Sequence, residues 1–317
     1  MEYQYEKQRR KRIKLIYNPV SGINKESPNQ LMNVIKELQL WNFAPEPLLT
    51  EPGTDYTAIV QDAIENGIRM FAVCGGDGTV SSVARAMVGT TATLGIIPTG
   101  TQNNVALSLG IPNDIKTAIA ILRMGRRVKS DIGLVTCGKI TLPFIEICSV
   151  GLFSALFESG DDIQHGDISR IGNFLTTLTT STPSKIRLVL DRKNEIEALG
   201  HVVLVTNMPY IGRHYQVGND ESYSDGLLDV VLCADVPKLD LMVGYILKLP
   251  GMNASEDSRI KRFQVKNVVI ESQPEMPVMV DGITLEKGRV QIEIKRHALA
   301  MIAGPVKSKD EKGEKTL

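Results

Sequence analysis

Residues 70–80 join an apolar run to groups that could hold an anion. Met70, Phe71, Ala72 and Val73 end in Cys74-Gly75-Gly76-Asp77-Gly78-Thr79, and Val80, Val83, Ala84 and Met87 then recur at helix spacing. The pattern predicts a strand, a tight glycine turn and a helix start. Backbone N–H groups at such a turn point outward with partial positive charge and suit phosphate. The missing Cβ atoms let that group come close. The Asp77 carboxylate can hold a phosphate's Mg²⁺ or orient a hydroxyl. A second loop, Pro98-Thr99-Gly100-Thr101-Gln102-Asn103-Asn104, follows the run Thr93-Leu94-Gly95-Ile96-Ile97. Two glycine- and hydroxyl-rich loops at successive strand ends point to a nucleotide-phosphate site. Neither loop continues into the Gly-Lys-Ser/Thr of a P-loop, and no Gly-x-Gly-x-x-Gly follows the first strand. Any phosphates would therefore rest on backbone N–H groups and Mg²⁺.

The elements that must position these loops can be read from the periodicity. Ile13-Lys14-Leu15-Ile16-Tyr17 predicts a first strand, followed by a loop at Asn18-Pro19-Val20-Ser21-Gly22. Ser27 to Gln30 has capping-box spacing, with Pro28 at the first helical position. Leu31, Val34, Ile35 and Leu38 line one face of that helix. Pro47 to Thr50 predicts a short strand, and 55–66 a helix closed by Gly67. Two short helical patterns after the second glycine loop end near Gly110 and Gly125. The alternation predicts a parallel sheet with helices on both faces and ligands at its strand ends. From Asp131 onward the texture changes. Apolar runs at 132–135, 140–150, 186–190, 201–206, 227–232, 263–271, 276–280 and 290–294 alternate with turn residues, and helical patterns occur only near 167–180 and 238–249. This half reads as a mostly antiparallel β domain.

The 317 residues suit two domains, and 43% hydrophobic content is enough to bury real cores. Zero net charge argues against a dedicated nucleic-acid binder. Cys74, Cys137, Cys148 and Cys233 lack Cys-x-x-Cys spacing and mostly sit in apolar runs. They read as buried, reduced thiols of an intracellular, cytoplasmic protein. No apolar stretch is long enough to span a membrane and no signal-peptide core is visible. Lys7, Arg9, Arg10, Lys11, Arg12 and Lys14 form a basic run, read either as a solvated tail or as attraction to an anionic membrane surface. His165, His201, His214 and His297 lack metal spacing. Met242, Tyr245, Ile246 and Leu249 make a helical stripe that suits a core, and Phe153, Leu156 and Phe157 suit a core or a cleft wall. Residues 307–315 read as a mixed-charge tail.

Four motifs occur in order: Asn18-Pro19-Val20-Ser21-Gly22, Gly75-Gly76-Asp77-Gly78-Thr79, Ile97-Pro98-Thr99-Gly100-Thr101 and Asp225-Gly226-Leu227-Leu228-Asp229. Over about residues 13–303 the chain resembles the diacylglycerol kinase catalytic family, in its bacterial soluble lipid kinase branch. Gly-Gly-Asp-Gly alone is shared with NAD kinases and phosphofructokinases, and the fourth motif favours the lipid kinases. The resemblance implies an α/β domain of the NAD kinase/diacylglycerol kinase-like type at 1–131, joined by 300–317. It implies a β-sandwich, lipid-substrate domain at 132–299.

The resemblance also implies transfer of the γ-phosphoryl group of ATP to a lipid hydroxyl, most simply that of diacylglycerol, in phospholipid metabolism. ATP contacts are implied at Asn18, Pro19, Val20, Ser21, Gly22 and Thr50, and at Gly75, Gly76, Asp77, Gly78, Thr79, Val80, Ser81 and Ser82. Thr99, Thr101 and Asn103 complete that set. A structural Mg²⁺ is implied at Asp225 with the carbonyls of Ser222 and Leu227. The implied partners are a lipid at a membrane surface, met peripherally, and a second copy of the chain in a homodimer.

Two departures stand out. Asn104 stands where the family usually has aspartate. The family's Asp-Gly-Glu triplet, whose glutamate is the general base, here reads Asp281-Gly282-Ile283. Isoleucine cannot accept a proton. Asp281, Glu286 and Asp77 are the candidate substitutes, with Asp77 and Asp281 the expected catalytic pair. An NAD kinase-like enzyme and a non-catalytic nucleotide-binding regulator remain the competing readings.

Overall fold

A computed structural model of the chain describes residues 10–22, 27–152, 182–211, 215–219, 221–234 and 259–305. The helical patterns at 167–180 and 238–249 lie outside the described residues. So do Lys7, Arg9, Phe153, Leu156, Phe157, His165, His214, the stripe at 242–249 and the tail. The chain divides into two compact units, one built from the described parts of 1–130 and 298–317, the other from those of 131–211 and 215–297.

The first unit runs β1 (Lys11–Tyr17), α1 (Ser27–Leu40), β2 (Phe43–Leu49), α2 (Tyr56–Glu65), β3 (Met70–Gly75), α3 (Asp77–Met87), β4 (Thr93–Pro98), α4 (Asn104–Ser108) and α5 (Ile115–Met124). β1 pairs in parallel with β2 and β3, and β3 with β4. Every residue of β3 and β4 is buried, as expected of parallel strands covered on both faces. Asp55 caps α2 by accepting the N–H groups of Thr57 and Ala58, and Asp114 caps α5 by accepting that of Thr117. Gly95 lets α5 lie close on β4, because a Cβ there would fall 2.2 Å from a Leu122 methyl. β2 begins four residues before the predicted strand at 47–50 and contains Pro45 and Pro47. It is an edge strand, where the missing N–H groups of proline are tolerated.

β5 (Arg126–Cys137) leads into the second unit, whose strands are β6 (Ile140–Phe144), β7 (Ile147–Gly151), β8 (Ser184–Leu190), β9 (Asn194–Thr206), β10 (Tyr210–Ile211), β11 (Tyr215–Gln216), β12 (Leu228–Ala234), β13 (Ile260–Val265), β14 (Asn267–Gln273), β15 (Val278–Val280), β16 (Ile283–Leu285) and β17 (Val290–Ala303). Pairing inside this unit is antiparallel: β15 joins β16 and β7, β9 joins β7, β8 and β12, and β14 joins β8 and β17. Val150, Leu188, Val205, Val230, Val268 and Ile292 belong to its core. The end of β17 belongs to the first unit, where Ala300 and Met301 pair in parallel with Thr93 and Leu94 of β4.

Several strands of this unit differ from their sequence patterns. The apolar run at 140–150 splits into β6 and β7 around Ile145 and Glu146. β9 extends back to Asn194, seven residues before the predicted start, because its first half exposes Glu195, Glu197 and Leu199 on one face.

Candidate active site

Three loops of the first unit interlock at the ends of β1, β3 and β4. Asn18 donates its N–H to the Cys74 carbonyl at 2.9 Å, and Thr99 donates to the Gly75 carbonyl at 3.1 Å. The Asn18 amide donates to Thr79 Oγ1 at 2.8 Å, while Asn18 Oδ1 accepts the Val20 N–H at 3.1 Å. Thr99 Oγ1 reaches Ser21 Oγ at 3.3 Å. Two glycines permit this closeness. Gly22 has φ +84°, and a Cβ there would fall 2.3 Å from the Thr99 carbonyl oxygen; a Cβ on Gly100 would fall 2.4 Å from Gly76 Cα. Pro19 and Thr101 are half-buried in these loops, and Val20 is exposed.

Gly76, at the N-cap of α3, has no side chain to cap the helix, and a helix N-terminus of this kind suits an anion. Asp77 opens α3, and its Oδ1 accepts the Val105 N–H at 3.1 Å, tying α3 to α4. The side chains of Val80 and Ser81 are buried, whereas Ser82 Oγ turns back to the Gly78 carbonyl at 2.8 Å. Asn103 is buried at φ +56°. Its Oδ1 accepts the Gly100 N–H, and its amide donates to Gly100 O and Asn113 Oδ1. Asn103 therefore builds the loop from within. Thr50 is buried and donates its N–H to the Tyr17 carbonyl at 2.9 Å. Burial pushes the Cys74 thiol up to about 12, against a hydrogen bond with Thr99, so this cysteine is not a nucleophile at neutral pH.

The second unit uses its carboxylates differently. Asp281, buried at φ +42°, accepts three backbone N–H groups, from Ile145 (2.9 Å), Glu146 (3.1 Å) and Ile147 (2.9 Å). Asn207 continues this clamp, donating its N–H to the Glu146 carbonyl and its amide to the carbonyls of Asp131 and Ile145. The fully buried Asp131 accepts the N–H groups of Gly226 at 2.7 Å and His297 at 2.6 Å. Hydrogen bonds thus run from the triplet at 281–283 to the loop at 225–229. Ile283 is 38% exposed, and Glu286 is exposed beside Gly138.

Asp225 Oδ1 accepts the Leu227 N–H at 2.9 Å. Burial pushes the Asp225 carboxyl above its ordinary value; this hydrogen bond opposes the rise, and the charges of Asp229 and Asp131 add to it. Burial also raises Asp229, against a hydrogen bond from Gln264. A carboxylate pushed up by neighbouring carboxylates, as Asp225 is, favours a cation. Among the described residues no group of three or more His, Cys, Asp or Glu side chains is arranged to hold a metal. A cation at Asp225 would therefore need carbonyl oxygens as well, and an all-oxygen set of this kind suits Mg²⁺.

Glu146 is the residue that sequence reasoning passes over. It is 6% exposed, the one buried glutamate among the described residues. Its signal was its charge inside the apolar run Phe144-Ile145-Glu146-Ile147-Cys148.

Residues 12–135 match the diacylglycerol kinase catalytic domain, and 162–303 match the YegS C-terminal NAD kinase beta sandwich-like domain. The chain belongs to the diacylglycerol kinase catalytic-domain family. It is 27% identical over 285 residues to a diacylglycerol kinase of Staphylococcus carnosus, covering 86% of this chain and 89% of that protein. It is 25% identical over 279 residues to a diacylglycerol kinase of Bacillus subtilis, again covering 86% and 89%. A crystal structure of a diacylglycerol kinase from Bacillus anthracis shares the fold, with TM-score 0.73 at 23% identity over 93% of this chain and 98% of that one. No helix among the described residues is long and apolar enough to cross a membrane.

Proposed function

We propose that the protein is an ATP- and Mg²⁺-dependent lipid kinase that phosphorylates a hydroxyl of diacylglycerol or a similar lipid. The observation that carries this reading is the interlocking of the loops at 18–22, 75–79 and 98–104 around the N-terminus of α3, in a chain of this family. Such a cradle binds phosphate oxygens through backbone N–H groups and the helix dipole. Phosphoryl transfer depends mostly on positioning and on stabilising charge.

In this reading Asn18, Ser21, Thr79, Thr99 and Thr101 orient the nucleotide, and Asp77 positions phosphates and hydroxyl. Asp225, with the Ser222 and Leu227 carbonyls, would hold a Mg²⁺ that stiffens the loop at 225–229. Asp281 acts by positioning the turn at 145–147. A lipid acceptor implies work at the cytoplasmic face of a membrane, and the resemblance further implies a homodimer.

The test is transfer of label from γ-labelled ATP to diacylglycerol, sphingosine or NAD. Labelled phosphatidic acid supports the reading, and label in NADP alone contradicts it. Ile283 motivates a second reading, a nucleotide-binding regulator without turnover. It predicts ATP binding by calorimetry and no phosphorylated lipid above background.

A further inference from the structure

A group of cations lies in the first unit, at the end of its parallel sheet away from the glycine loops. β1 begins at Lys11 and ends at Tyr17, so about 20 Å of strand separates this end from the loop at 18–22. The Lys11 N–H is held by the Asn42 carbonyl at 3.0 Å, just ahead of β2. Arg127, at the start of β5, donates from Nη2 to the Thr91 carbonyl at 3.1 Å, just ahead of β4. Arg123 stands in the last turn of α5. All three residues are exposed. Other cations at these strand starts are already engaged: Arg12 pairs with Glu46 at 2.6 Å, and Arg69 donates to the carbonyls of Ile64 and Ile68. Lys11 is different. Burial lowers its pKa most, the charges of Arg123 and Arg127 lower it further, and among the described residues no carboxylate offsets them.

Like charges gathered without a counterion oppose folding, and they do so here in a chain whose net charge is zero. A bound anion removes that repulsion. Two guanidinium forks and one ammonium are the donors that phosphate oxygens take in charge-assisted hydrogen bonds. A phosphate monoester presents close to two negative charges and three terminal oxygens, which matches three cations. We infer that Lys11, Arg123 and Arg127 form a binding site for a phosphate monoester, separate from the nucleotide loops and independent of the kinase reading. A free phosphate ester and the headgroup of phosphatidic acid both carry this chemistry. Because the site stands at the far end of β1, its occupant leaves the loops at 18–22, 75–79 and 98–104 free for nucleotide.

The test compares the full-length wild type with the double variant Lys11→Gln/Arg123→Gln. Calorimetry reads the binding of glycerol 3-phosphate, and co-sedimentation reads binding to phosphatidylcholine vesicles with and without phosphatidic acid. The variant leaves the nucleotide loops untouched, so phosphate held there persists and only the difference belongs to this site. Losing two charged donors is expected to weaken binding by about tenfold or more. ATP affinity should stay as in wild type, and the melting temperature should hold or rise because the repulsion is relieved. Lys11→Arg, which keeps the charge, should bind as wild type does. Glycerol 3-phosphate binding that the variant loses assigns a free phosphate ester, and a loss seen only with phosphatidic acid vesicles assigns the lipid headgroup; either supports the site. Equal binding by wild type and the double variant overturns the inference, as does a wild type that binds neither probe. A loss that comes with a lowered melting temperature or weaker ATP binding also overturns it. None of these outcomes depends on whether the protein phosphorylates a lipid.

Discussion

In the first unit, the residue at the N-cap of α3 is a glycine that offers no side-chain cap, and neighbouring loops come within contact distance because Gly22, Gly76 and Gly100 carry no side chain. In the second unit, Asp281 collects three backbone N–H groups and Asp131 two more. One region omits side chains around the N–H groups of a helix start. The other consumes them with buried carboxylates. The first arrangement suits binding an anion from outside, and the second suits holding a surface still so that other groups can act.

The comparison breaks most visibly at Asp281. Asp281→Ala strands three N–H groups, each unsatisfied buried donor costing about 1–3 kcal/mol, so urea unfolding should show a loss of about 3–9 kcal/mol. Asp281→Asn keeps an acceptor oxygen and should lose less. If Asp281→Asn were as stable as wild type but inactive, Asp281 would be a proton acceptor and the contrast would fail.

The matching change in the first unit is Gly22→Ala. It combines a positive φ with a Cβ 2.3 Å from the Thr99 carbonyl. A misfit of this size costs about 1–3 kcal/mol. Calorimetry should show ATP affinity falling by at least tenfold, and unchanged affinity would remove this loop from the nucleotide site.

A smaller effect tests the loop at 225–229. Asp225 and Asp229 are raised on folding, so their contribution to stability is fully present below the unfolded-state value, about 3.9, and is lost as pH rises through the raised folded values. At pH 7 their charges therefore weigh against the fold. Mg²⁺ should then raise the melting temperature by about 2–4 °C. The gain should shrink as pH falls toward the raised values and vanish in Asp225→Asn. A gain that persists in Asp225→Asn would place the cation elsewhere.

The smallest effect is expected at Glu271, which pairs with Arg187 at 2.7 Å and Arg289 at 3.1 Å on a partly exposed sheet face. Glu271→Ala should change stability by less than about 1 kcal/mol, as for exposed ion pairs generally. A larger loss in urea unfolding would mean that this face carries more of the second unit's stability than the carboxylate clamps leave room for.

The first unit is largely legible before any coordinates, because its chemistry lies in residue type. Glycines mark the turns, and β3 and β4 are unbroken apolar runs. The exception is β2, where Pro45 and Pro47 hide an edge strand. The clamps of the second unit leave no local trace. Asp281 bonds to backbone groups up to 136 residues away, and any residue other than proline can supply such an N–H. β9 is masked by the charges on its outer face. The ordering of the four motifs was visible in the sequence, whereas the hydrogen bonds from 281 through 207 and 131 to 226 required the fold.

The central claim is that the glycine loops hold ATP for transfer to a lipid. It is tested most directly by following γ-labelled phosphate into diacylglycerol in mixed micelles, with wild type and Asp77→Ala in parallel. The account predicts labelled phosphatidic acid from wild type and a loss of at least 100-fold in Asp77→Ala. Equal labelling by both proteins, or none from a wild type that binds ATP, would contradict it.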